Sequence, residues 1–153
     1  CWGVGWSGRL GLGDNTDRGD AANEMGSNLG FVDLGTGRTA TAISVWESSC
    51  AILDNASVKC WGNNGNGMLG LGDTNHRGDA ANEMGDNLPI VDLGTGRTAT
   101  AISLGNGHTC AMLDNGFVKC WGKNSKGQLG YGNTNDLGDG SGEMGDNLSV
   151  VDL

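Results

Sequence analysis

Five cysteines and two histidines are the side chains best equipped for chemistry in this sequence. Four of the cysteines form two pairs of equal spacing, Cys50/Cys60 and Cys110/Cys120, and each pair brackets a turn, Asp54-Asn55-Ala56 or Asp114-Asn115-Gly116. A three-residue turn with Gly116 in the left-handed region sets Leu113 opposite Phe117, Met112 opposite Val118, Ala111 opposite Lys119 and Cys110 opposite Cys120. Counting outwards from a hydrogen-bonded closing pair puts the cysteines at a non-hydrogen-bonded position. There Cα atoms lie ~4.5 Å apart, within reach of a disulfide. Disulfides are the preferred reading, and buried free thiols are the alternative. A two-residue turn would instead set Cys110 opposite Trp121. Disulfides place the protein outside the cytosol: secreted, on a cell surface or in an organelle lumen. Zinc is disfavoured, since Cys-x-x-Cys is missing and only His76 and His108 could supply imidazole. Cys1 is the odd cysteine, and by the same spacing its partner is expected upstream, outside the chain.

Other motifs invite chemistry but read better as structure. Arg18-Gly19-Asp20 and Arg77-Gly78-Asp79 spell an integrin-type tripeptide, yet the third copy is Leu137-Gly138-Asp139, so Gly-Asp reads as turn chemistry. Asp73, Asp79, Glu83 and Asp86 could offer calcium a set of oxygens. The EF-hand spacing fails, with Arg77 and Met84 at ligand positions, so an internally hydrogen-bonded or solvated loop is preferred. His108 could act as a general base, but the first repeat carries Ser49 in its place and no nucleophile recurs beside it, so a structural hydrogen bond is expected. The sequence calls for no catalytic residue, no metal and no cofactor.

The elements that must hold these residues repeat. Cys1-Trp2-Gly3 recurs as Cys60-Trp61-Gly62 and Cys120-Trp121-Gly122, a period of about sixty residues. The segment from Arg18 to Gly26 returns almost unchanged as Arg77 to Gly85, and Val32 to Ser44 returns as Val91 to Ser103. Each period reads as four short strands: Val91-Asp92-Leu93, Thr98 to Leu104, Cys110 to Leu113 and Phe117 to Trp121. Gly94, Asn106-Gly107 and Asn115-Gly116 separate them. No helical periodicity is evident. The 30 glycines suit many tight turns. Trp2, Trp61 and Trp121 share one repeat position, which marks them as core.

The pattern Asn64-x-x-Gly67-x-Leu69-Gly70-x-Gly72, its copy from Asn124 to Gly132, and Gly105-x-x-His108-Thr109-x-Ala111 resemble the regulator-of-chromosome-condensation repeat family. The resemblance implies an all-β chain: a partial β-propeller of four-stranded antiparallel blades from a ring of about seven. The corresponding divisions are residues 1–30 (end of one blade and a loop), 31–62 (a complete blade), 63–89 (a loop), 90–122 (a complete blade), 123–149 (a loop) and 150–153 (the first strand of the next blade). Further blades are expected on both sides, since a blade buries itself against its neighbours. The first repeat departs from the pattern at Trp46 and Ser49.

Net charge is −9. With no Lys/Arg cluster, nucleic-acid binding is disfavoured and a basic protein surface is the better partner. No apolar run is long enough to cross a membrane. The resulting expectation is a non-catalytic protein-binding scaffold in an extracytosolic or lumenal assembly. Positions that differ between repeats are its candidate anchors: Trp6, Trp46, Glu47, His76 and Tyr131. The alternative is guanine-nucleotide exchange on a small GTPase, the activity the resemblance carries.

Overall fold

A computed structural model describes residues 1–153. Six strands form two three-stranded antiparallel meanders. The first holds β1 (Ala40–Val45), β2 (Ser48–Leu53) and β3 (Val58–Gly62). The second holds β4 (Ala99–Leu104), β5 (His108–Leu113) and β6 (Val118–Gly122). The β5–β6 hairpin closes with Leu113 N donating to Phe117 O at 2.8 Å, and Gly116 takes φ 84°. Met112 then faces Val118, Ala111 faces Lys119 and Cys110 faces Cys120. The β2–β3 hairpin repeats this register, with Cys50 facing Cys60. Both pairs are disulfides, each with a Cα separation of 4.1 Å. The long loops between sheets carry only short 3-10 turns, and no helix is long and apolar enough to cross a membrane.

Each sheet has three strands where four were expected. Val91-Asp92-Leu93 is extended but joins no ladder of its own repeat. Val91 N donates to Val58 O of the preceding sheet at 2.8 Å, and Val151 N donates likewise to Val118 O. The reason is local. Pro89 offers no amide, Gly94 turns the chain at φ 107°, and Asp92 spends its carbonyl on Gly145 N and its carboxylate on Gly94 N. The segment therefore runs along the outer edge of the previous unit's third strand.

The core lies between the units. β2 is buried along its whole length because β4 packs across both β1 and β2. Cys50, Ile52, Met68, Leu69, Leu113 and Trp121 belong to one buried cluster, while Leu53, Trp61 and Leu88 form a smaller one. A single carbonyl gathers each junction. Met68 O accepts Thr109 Oγ1 at 2.9 Å and Trp121 Nε1 at 3.1 Å. One repeat earlier, Arg9 O accepts Ser49 Oγ at 2.9 Å and Trp61 Nε1 at 3.1 Å. An indole that is both apolar and a donor can thus be buried with its N–H satisfied.

The glycine signature follows from this closeness. Gly70 sits at φ 68°, and a Cβ there would come within 2.7 Å of Trp121 Nε1. Lysines at the hydrogen-bonded position next to each disulfide close the unit from the other side. Lys119 Nζ, almost buried, donates to Gly145 O at 2.7 Å and Leu93 O at 3.0 Å. Burial pushes its ammonium pKa down, with Asp146 and Asp92 opposing.

Candidate protein-interaction surface

The loop that carries the Arg9 carbonyl also carries the non-repeated Trp6. A 3-10 turn from Trp6 to Gly8, with Ser7 at φ 56°, turns the Trp6 ring outwards, and it is 57% exposed. The Arg9 guanidinium lies 5.5 Å from the ring centroid, and its Nε donates to Trp6 O at 3.2 Å. On the neighbouring repeat the His76 ring lies 6.5 Å from Trp6, tilted by 57°. His76 is held in place because its Nδ1 accepts Asn64 N at 3.0 Å, so the ring proton sits on Nε2. In the other two repeats a carboxylate does this work: Asp17 accepts Gly5 N and Asp136 accepts Asn124 N, both at 2.7 Å. His76 keeps the cap and adds a ring that can stack.

The remaining expected anchors divide. Glu47 borders this cluster's repeat, since its Oε2 accepts Asn63 Nδ2 at 3.3 Å and its carbonyl accepts Asn63 N. Trp46 stands at the β1–β2 turn and lines a different cleft, of about 520 Å³, with Cys1, Trp2, Val4, Arg9 and Val45. Tyr131 stands apart from both. Its hydroxyl accepts Cys120 N at 3.0 Å and lies 2.9 Å from Ser149 O, clamping the edge of β6. Burial pushes that phenol's pKa up. Arg9 was not among the anchors expected from sequence. The signal was present, because Met68 and Gln128 hold its position in the other repeats.

The other sequence candidates serve the framework. His108 begins β5 with its Nδ1 buried and unpartnered, and its ring covers Gly105. Its counterpart in the first unit is Ser48, not Ser49: Ser48 faces Gly62 as His108 faces Gly122, whereas Ser49 matches Thr109. The two units differ by one residue in the preceding turn, so register counts back from the cysteine. A methyl on Gly105 would meet His108 Cε1 at 2.3 Å. Gly105→Ala should therefore cost about 1–3 kcal/mol by urea denaturation, through displacement of the ring. An unchanged midpoint would show that the ring is free to swing away.

The acidic loops spend their carboxylates internally. Glu83 Oε2 accepts the amides of Gly78, Asp79 and Ala80, and Asp73 pairs with Arg77 at 2.7 Å. Asp86 reaches the preceding repeat, taking Thr36 N at 2.9 Å and Thr36 Oγ1 at 2.6 Å. Asp146 does the same for Thr95. No group of three or more His, Cys, Asp or Glu side chains gathers for a metal ion.

These hydrogen bonds hold Asp86 and Asp146 below the usual carboxylate range, chiefly through the threonine hydroxyls. The backbone amides of Ala21 and Gly19 hold Glu24 low in the same way. A depressed folded pKa gives stability that is present above the unfolded value and lost as pH falls through the folded one. Unfolding midpoints should therefore drop below about pH 4, and Asp86→Asn should flatten that slope. Asp139 runs against the trend, since burial and Glu143 raise it. A midpoint that does not change between pH 6 and pH 3 would contradict this assignment.

Two family models, each described as a regulator of chromosome condensation (RCC1) repeat, match residues 57–112 and 99–128. The ultraviolet-B receptor UVR8 of Arabidopsis thaliana is 31% identical over 88% of this chain. The RCC2 homolog of Danio rerio is 35% identical over 58% of it. The chain spans 27% of the first relative and 16% of the second. The crystal structure of Prp20p from Saccharomyces cerevisiae superposes over 64% of this chain and 22% of its own, at 18% identity with a TM-score of 0.45, too loosely to bear on blade number or binding.

Proposed function

This chain belongs to the RCC1-like repeat family, and from that premise we propose that it is a non-catalytic protein-binding scaffold, a run of propeller blades whose non-repeated loop residues carry recognition. The observation that carries the reading is the cluster of Trp6, Arg9 and His76. An exposed indole, a guanidinium and an imidazole meet at the junction of two repeats, at positions where the sister repeats hold other residues. Trp and Arg are the side chains that concentrate binding energy at interfaces, above all when the backbone beneath them is already ordered. Here Arg9 O accepts both Ser49 Oγ and Trp61 Nε1, and His76 Nδ1 accepts Asn64 N, so the loops beneath the cluster are tied to the sheets. The net charge of −9 favours a partner with a basic rim around an apolar centre.

The disulfides support a location outside the reducing cytosol. Four-stranded blades follow if Val91-Asp92-Leu93 and its kin are counted with the third strand they flank, and a ring of about seven such units is the closure expected for the family.

The test compares the unaltered chain with a Trp6→Ala/His76→Ala variant in cross-linking capture from the source's extracellular or lumenal fraction. The reading expects a discrete protein partner whose affinity falls at least tenfold in the variant, with the unfolding midpoint unchanged. Equal capture by both would remove this cluster as the binding site. Capture of a small GTPase, with faster nucleotide release, would install the exchange-factor reading instead.

A further inference from the structure

Two tripeptides in the chain have the Asn-x-Ser form that accepts an N-linked glycan, Asn55-Ala56-Ser57 and Asn147-Leu148-Ser149. The fold treats them differently. Asn55 stands at the tip of the β2–β3 hairpin and is exposed. Its Oδ1 accepts Ser57 N at 3.2 Å and Ser57 Oγ at 2.7 Å, while its Nδ2 makes no hydrogen bond within the chain. Asn147 instead spends its Nδ2 on Gly142 O at 2.9 Å. Leu148 beside it is buried, and the Ser149 carbonyl is held by the Tyr131 hydroxyl. That second tripeptide is pinned into its loop.

The sister hairpin shows what the turn itself requires. Asn115 Oδ1 accepts Phe117 N at 3.2 Å, so the same turn closes with no hydroxyl at its third position. The Ser57 hydroxyl is therefore surplus to the turn, and its one hydrogen bond goes to Asn55. The backbone around Asn55 is fixed by other groups. Ala56 N donates to Leu53 O at 2.9 Å, Ala56 O accepts Ala99 N at 3.3 Å, and the Asp54 carboxylate takes Thr39 N at 3.1 Å. A group carried on Asn55 Nδ2 displaces none of these contacts.

We propose that Asn55 is an N-glycosylation site, with Ser57 supplying the hydroxyl that the modification needs. The proposal rests on the extracytosolic location read from the two disulfides, since the transfer takes place in secreted chains. The turn is local, with donor and acceptor two residues apart, so it is available to the chain before the hairpin closes.

The co-reactant is a lipid-linked oligosaccharide diphosphate. An amide nitrogen is a weak nucleophile, because its lone pair is delocalised into the carbonyl. Two donors on Oδ1 stabilise the negative charge that gathers there as Nδ2 gives a proton to a base of the transferase. Nδ2 attacks the anomeric carbon of the sugar. The new C–N bond forms as the C–O bond to the diphosphate breaks, and the lipid diphosphate leaves with that electron pair. Nothing is oxidised or reduced.

The test takes the full protein, unreduced, from its source and maps its peptides by mass spectrometry before and after peptide-N-glycosidase treatment in water labelled with heavy oxygen. Asn55 should be released as a labelled aspartate, which separates it from spontaneous deamidation, and the Cys50–Cys60 and Cys110–Cys120 disulfides should both be intact. In the same host, Asn55→Gln should remove the glycan and Ser57→Ala should cut its occupancy at least tenfold, while Ser57→Thr should keep it. Intact disulfides with an unmodified Asn55 would overturn the proposal and leave the location standing. Free thiols with an unmodified Asn55 would overturn both. A Ser57→Ala chain glycosylated as fully as the parent would overturn the role given to the hydroxyl.

Discussion

Trp121→Ala should lower the free energy of unfolding by about 3–5 kcal/mol, and Trp61→Ala by a similar amount, while Trp2→Ala should change it by less than about 0.5 kcal/mol. The three residues share one place in the repeat, so their intrinsic preferences cancel and only context remains. Truncating Trp121 empties a fully buried site and leaves Met68 O with one donor, Thr109 Oγ1, in place of two. It also strips the contact for which Gly70 has no side chain. Trp2 has no such neighbours and is mostly in solvent. Urea denaturation of the three variants decides the matter. Equal losses at all three would mean that the indole's contribution does not depend on the junction between repeats. Losses confined to Trp61 and Trp121 mean that it matters to the junction between repeats.

The second large effect concerns the disulfides. A Cys110→Ala/Cys120→Ala double variant should lose about 2–3 kcal/mol, because closing so short a loop removes chain entropy from the unfolded state. The cost carries a packing share as well, since Cys120 is 5% exposed. Cys50→Ala/Cys60→Ala should cost at least as much, as both of those cysteines are fully buried. Cys1→Ser should cost less than either double variant, because Cys1 is in neither sheet and in no disulfide, and only its partly buried packing against the smaller cluster is changed. Calorimetry on the oxidised chain and the variants gives the comparison. A double variant that melts with the parent would show that the hairpin register needs no covalent tie.

The hairpins were legible from residue order because turn length alone fixes antiparallel register. Once Asp114-Asn115-Gly116 is a three-residue turn, every pair out to the cysteines follows. The core tryptophans were legible because position in a repeat reports environment. Two readings failed for identifiable reasons. Val91-Asp92-Leu93 has strand-like composition, but Pro89 and Gly94 bound it and Asp92 caps a loop of the next repeat, so its hydrogen bonds go elsewhere. Ser49 was aligned with His108 because the preceding turn is one residue shorter in the first unit. The invariant cysteine, not the turn, keeps register there. The surface cluster was half legible. Departure from the repeat picks out Trp6 and His76, and the same rule applied to Arg9 would have completed it. That Tyr131 turns inward to Cys120 is a tertiary fact that departure from the repeat could not show.

Indole N–H exchange, followed residue by residue in an isotope-labelled sample, tests most directly whether these repeats are fastened to one another through tryptophan and a single carbonyl. Of the five indole protons, those of Trp61 and Trp121 should exchange slowly, on the timescale of unfolding. Those of Trp2, Trp6 and Trp46 should be gone within the first spectrum. Five protons exchanging together, or protection that favours Trp2, would mean that the junction described here does not exist in solution.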